Sequence, residues 1–159
     1  MGILTKDLAW KAFKLAEPSI LAILNHPGAT WGPKWVAIYV DGPGIAEPQL
    51  FHVGDDPKHR WSSDWGAPSG YDAIAKKKLE AVSREQESTR ALISNCPWLF
   101  EKGEFLYVGG DFHEGISVAV SGAEGTADEA IAAIIIVNIK MLCFLEVERK
   151  IRSGDEKVR

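Results

Sequence analysis

Residues 109–122 (GGDFHEGISVAVSG), running almost at once into the helical pattern Ala127, Asp128, Glu129, Ala130, Ile131, Ala132, constrain this chain more than any other stretch. Adjacent glycines at 109 and 110 permit backbone angles and close approaches that other residues forbid. Ile116, Val118 and Val120 alternate with Ser117, Ala119 and Ser121, the period of a strand with two unlike faces. Thr126 with Glu129 three residues on has the spacing of a capping box, and Asp128 and Glu129 complement the positive end of a helix that runs to about Arg152. Many backbone amides and few bulky side chains are thereby gathered in one place, as a small-molecule pocket requires.

The remainder of the chain supplies partners for that hairpin. Apolar residues at Leu8, Phe13, Leu15, Ile20, Leu21 and Leu24 predict an amphipathic helix over 4–24, with Thr5 as a cap and a bend at Pro18. Residues 35–40 (WVAIYV) read as a buried strand, 41–44 (DGPG) as a turn, and 49–53 (QLFHV) as the returning strand. Residues 54–70, rich in Gly, Pro and Asp with Trp61 and Trp65 interleaved, read as an ordered lid or interface loop. A helix is predicted over 71–93, and a third strand over 104–108 ending at the glycine pair. The order is helix, two strands, helix, two strands, helix in one domain spanning 1–159, an α+β architecture with an antiparallel sheet carrying helices.

Composition excludes several classes of function. With 159 residues and a net charge of −4, the chain has no basic stripe, and its densest cationic spot, Lys76, Lys77 and Lys78, sits beside Glu80 in a helical pattern, so nucleic acid is not an expected partner. Cys96 and Cys143 have no metal-binding spacing and read as reduced thiols. The longest apolar run, 130–137, is too short to span a bilayer, and no signal-peptide pattern opens the chain, so a cytoplasmic location and no membrane partner are expected.

Several residues are candidates for chemistry, each with a plainer alternative. Gly109 and Gly110 either cradle a ligand together with the amides of the helix start near Asp128, or form a turn while Asp128 serves the helix end. His113, between Asp111 and Glu114, is a surface residue of a hairpin tip, a metal or haem-iron ligand, or a general acid or base with Asp111. His52 and His59 bracket Asp55 and Asp56, which either gather round a cation or lie in solvent. Lys78 is either solvated or faces an apolar cavity with a lowered pKa. Trp61 and Trp65 line a pocket, bury a subunit contact or fill the core. Ser121 lacks the Gly-x that precedes a nucleophile elbow, which leaves it a binding rather than a nucleophilic role.

Four of these segments together resemble the GlcG/HbpS-like proteins, the haem-degrading or DUF336 family. Residues 36–41 (VAIYVD) with Gly44 are similar to the family's first strand and Asp-x-x-Gly turn, one residue longer here. Ala75 and Lys78 with Thr89 are similar to its A-x-x-K-A…T helix, with Leu79 in place of the usual alanine. Gly109 and Gly110 resemble its glycine pair, and 118–122 (VAVSG) with Asp128 and Glu129 its G-V-S-G…D-E signature. The resemblance implies a profilin-like fold, assembly into dimers or larger rings, and binding of haem or a related tetrapyrrole. The expected function is thus an oligomeric small-molecule-binding protein. The alternative is an isomerase, lyase or hydrolase that uses His113, Asp111 and Lys78 in the same pocket.

Overall fold

The computed structural model describes residues 3–31, 34–55, 70–102, 104 and 107–154. Trp61, Trp65, His59 and Asp56, with most of the predicted lid-like loop, lie outside the described residues.

Helix α1 (Lys6–Leu24) starts where the sequence places its cap, the Thr5 hydroxyl accepting the Leu8 amide at 3.2 Å. Strands β1 (Trp35–Asp41) and β2 (Gln49–Gly54) form the predicted antiparallel pair. The single helix expected over 71–93 is instead two, α2 (Gly70–Glu85) and α3 (Thr89–Asn95), followed by a short 3₁₀ turn (Pro97–Leu99). Gln86 takes a positive φ of 56° between them, and Ser88 caps α3 by accepting the Ala91 amide. Helical periodicity spans this break because a change of axis leaves the spacing of apolar residues almost intact.

The third strand is also displaced. β3 (Gly110–His113) begins at the glycine pair rather than ending there, and Tyr107, Val108 and Gly109 lie outside any strand. Glu114 and Gly115, with φ of 51° and 88°, make the two-residue turn into β4 (Ile116–Ser121). Positive φ at both turn residues matches the twist of the flanking strands. Helix α4 (Gly125–Arg152) closes the described chain. Its cap is Glu124, which makes no side-chain bond to the helix, and Glu129 pairs with Arg90 instead of closing a capping box with Thr126.

The sheet has the order β2-β1-β4-β3 and is antiparallel throughout, with helices on both faces, an α+β fold as expected. One face carries Val36, Ile38, Val40, Val118 and Val120, packed with Phe13, Ala16 and Ile20 of α1 and Ile131, Ile135 and Ile139 of α4. The other face meets α2, where the Ser83 hydroxyl lies 2.8 Å from that of Ser117. The alternation read in 116–121 is thus the division between an aliphatic layer and a smaller, more polar one. Phe13 stacks on Phe51 at 4.6 Å, tying α1 to the β2 edge.

α4 contains the apolar run 130–137, by itself too short to span a bilayer. Over its 28 residues an 18-residue window reaches a mean hydropathy of 2.2, which meets the length and composition of a membrane helix among the described residues. Asn138 and Lys140 interrupt the uninterrupted run but not the average. In this fold the helix buries Ala127, Ile131, Ala132, Ile135, Ile136 and Ile139 against the sheet and α1. The aliphatic layer is expected to dominate stability: Ile38→Ala, at a fully buried position of a central strand, should cost about 2–5 kcal/mol in urea denaturation.

Candidate functional site

Lys78 leaves the middle of α2, passes the end of the sheet and is almost wholly buried. Its ammonium donates to the Val120 carbonyl at 2.7 Å and to Asp128 Oδ2 at 3.4 Å. The other carboxylate oxygen, Asp128 Oδ1, accepts the Ala123 amide at 3.1 Å, and the Gly122 amide also favours the charged carboxylate. Burial nevertheless raises the Asp128 pKa to about 6, against the opposing pull of Lys78. Burial likewise lowers the Lys78 pKa although Asp128 favours its charge. Desolvation therefore outweighs mutual attraction for both partners.

Both glycines are required by this arrangement. Gly109 has φ of 122°, and a Cβ there would lie 2.8 Å from Lys78 Nζ, Asp128 Cβ and the Val120 carbonyl oxygen. At Gly110 a Cβ would meet Val82 and Thr89 at 2.8 and 2.9 Å. The Thr89 hydroxyl accepts the Gly110 amide at 3.0 Å and donates to the Gly110 carbonyl at 3.2 Å, holding α3 to the first residue of β3. Lys78, Thr89, Gly109, Gly110, Ser121 and Asp128, scattered over some fifty positions of sequence, thus meet at one corner.

Three members of that corner form the floor of a cavity of about 430 Å³, whereas Thr89, Gly109 and Gly110, the last two expected to cradle a ligand, lie outside its lining. Lys78, Ser121 and Asp128 line it with Tyr71, Ile74, Ile93, Tyr107 and Val108, and Gly125 brings in the start of α4. The wall is mainly apolar. Asp128 turns its carboxylate onto the amides of Ala123 and Gly122, which precede the first turn of α4. An ammonium carries three protons. Two of those on Lys78 find Val120 and Asp128, and the third has no acceptor among the described residues.

Other predicted residues lie elsewhere. Strand alternation points Gly110 toward α2 and Asp111 and His113 to the opposite side of the sheet, opposite Val118 and Ile116. Neither lines the cavity, so the expected grouping of His113, Asp111 and Lys78 is not assembled. His113 is exposed at the hairpin tip, 3.3 Å from Lys140 Nζ and 3.9 Å from Glu114. Burial raises the Asp111 pKa, and its Oδ1 accepts the Phe112 amide. His52 pairs not with Asp55 but with buried Asp72 of α2, at 2.7 Å, its ring stacked on Trp35. Among the described residues no group of three or more His, Cys, Asp or Glu side chains gathers as a metal site. The described lining also lacks histidine, cysteine and methionine, so the residues present do not fit a histidine-ligated haem iron.

Tyr71, Ile74, Ile93 and Val108 were not identified from sequence, since ordinary core residues at helical spacing give no sign that they face a void. Two outcomes test the corner. Gly109→Ala should cost at least about 1 kcal/mol in urea unfolding, from strain and contact with Lys78. Because the folded state holds the Asp128 proton more tightly than the unfolded one, the stability from this group is greatest below its ordinary value of 3.8 and falls as pH rises to about 6. Asp128→Asn should remove that slope from urea midpoints measured across the window.

No family model matches this chain, and no curated protein does. Among solved structures it is similar to the Klebsiella pneumoniae protein ORFY, described with the family model DUF336, at a TM-score of 0.51 and 14% sequence identity. The match covers 83% of this chain and 88% of the other. At that identity the likeness concerns the fold, and the antiparallel sheet flanked by helices described above is the fold that this chain has in common with a DUF336 protein.

Proposed function

We propose that this chain is a cytoplasmic, homo-oligomeric protein of the GlcG/HbpS-like group that binds a small, partly apolar anion in the cavity beside Lys78. One observation carries the reading: a buried ammonium with one proton lacking an acceptor among the described residues, at the floor of an otherwise apolar cavity. A carboxylate on the ligand would take that proton at the Lys78 ammonium. Ile74, Ile93 and Val108 would exclude water from its apolar body, and the Tyr71 and Tyr107 phenols would add polar contacts. Ser121 contributes a small polar edge, and Gly109 leaves the room in which Lys78 and Asp128 meet. The fold shared with ORFY supports the family part of the reading.

Haem belongs to this reading as a carboxylate-bearing tetrapyrrole. In this reading His113 and Asp111 serve the hairpin rather than the ligand. A second reading, an acid–base enzyme of the isomerase, lyase or hydrolase type, is favoured by Asp128 alone: a carboxyl with a pKa of about 6 exchanges its proton near neutrality beside a lysine whose pKa is lowered.

Titration calorimetry with a medium-chain fatty acid, and absorbance titration with hemin, test both parts. Saturation near one ligand per chain is expected for at least one probe, weakened about tenfold or more, some 1.4 kcal/mol, by Ile93→Trp, which fills the cavity and leaves Lys78 and Asp128 in place. Non-saturating responses to both probes, or binding unchanged in Ile93→Trp, would overturn the proposal. Recovery of a chemically altered probe would favour the enzyme.

A further inference from the structure

α4 is apolar on two sides. Its core side is filled by Ile131, Ile135 and Ile139. On the opposite side Val137, Met141, Phe144, Glu148 and Ile151 recur at spacings of four, three, four and three, the stripe of a helix that packs along another helix. Val137, Phe144 and Ile151 are each more than 60% exposed, and Met141 and Leu145 nearly half. Upstream the stripe continues through Ile134 and Ala130 at the same spacing. Helices α1 and α4 lie side by side, and the stripe adjoins a groove of about 370 Å³ shared by Leu142 with Trp10 and Leu15. The two helices therefore present one apolar outer layer.

We propose that this layer is covered by a second copy of the same chain, with α4 packed antiparallel against α4 about a two-fold axis near Phe144. This rests on the homo-oligomer reading above and names its surface; it is independent of the ligand. The pattern is self-complementary about that axis. Residues equally far from Phe144 come level, so Val137 of one copy meets Ile151 of the other, and Lys140 meets Glu148, the one charge in the stripe. Lys140 flanks the stripe, 3.2 Å from Glu114 of its own hairpin, with about a third of its side chain exposed. From Ile134 to Ile151 the contact runs about 26 Å along the helix. A stable interface buries roughly 800 Å² per partner, and the exposed Trp10 and Leu15 of α1 extend the apolar layer beyond the stripe itself. A lipid surface is the weaker occupant, because Glu148 within the stripe and Glu146 beside it would be carried toward hydrocarbon.

Sedimentation equilibrium of the full chain at micromolar concentration should give twice the 17.4 kDa chain mass or a multiple of it. Phe144→Glu should halve that mass while leaving the far-ultraviolet circular dichroism unchanged. A second variant guards against misfolding: Phe144→Cys, with Cys96→Ser and Cys143→Ser, should form a disulfide-linked dimer under mild oxidation. A monomeric native chain overturns both this proposal and the homo-oligomer reading. An oligomer unaffected by Phe144→Glu, with no cross-link at position 144, overturns this surface alone. Co-sedimentation of the native monomer with phosphatidylcholine vesicles overturns it in favour of lipid.

Discussion

The buried ammonium of Lys78 is the constraint around which the site end of the fold is organised. Removing a charge from water costs several kcal/mol unless close partners replace the lost hydration. Here the partners are the Val120 carbonyl at the end of β4 and the Asp128 carboxylate in the first turn of α4. Meeting both forces α2, β4 and α4 into one arrangement, and the space their meeting leaves beside the ammonium is too small for any side chain. Glycine at 109 follows from that geometry rather than from turn chemistry. Gly109 is therefore required by an ion pair whose members lie 31 residues before it and 19 residues after it, and Gly110 by the close approach of Val82 and Thr89.

The same pair shapes what the cavity accepts. Asp128 occupies the amides of Gly122 and Ala123, so the backbone just ahead of α4 is already bonded to an internal anion. What faces the cavity is the lysine with an incomplete set of acceptors, set among aliphatic and tyrosine walls. Such a floor discriminates by charge, while the walls discriminate by size and by apolar area. It is pre-formed, since Lys78, Ser121 and Asp128 are anchored to α2, β4 and α4 and packed together. A pre-formed site loses little ordering entropy when a ligand enters.

Much of the element content is legible in the chain. Both strands of the first hairpin, the alternation of β4, the Thr5 cap and the extent of α4 follow from periodicity and capping chemistry. The misread boundaries share one cause. Ser88 as a cap and Gln86 in a left-handed conformation break the second helix without altering its apolar spacing. Tyr107 and Val108 look like a strand because their side chains are those a strand favours, yet pairing with β4 starts at the Gly109 carbonyl and the strand at Gly110, where Thr89 holds the backbone. Local preference is a weak signal beside a tertiary hydrogen bond of this kind.

The candidate site divides in the same way. By itself the sequence singled out Lys78, Gly109, Gly110, Ser121 and Asp128 as candidates, with Thr89 carried by the family resemblance, and these six lie close together in the fold. Only the tertiary structure decided that His113 and Asp111 stand apart from them, because a strand turns alternate residues to opposite faces and that choice depends on which strand β3 pairs with. It also decided that Lys78 is buried, since a lysine in a run of three looks solvated until the sheet end and α4 close over it. Spacing along a chain encodes which face of its own helix or strand a residue occupies; which other element covers that face depends on packing between segments far apart in sequence.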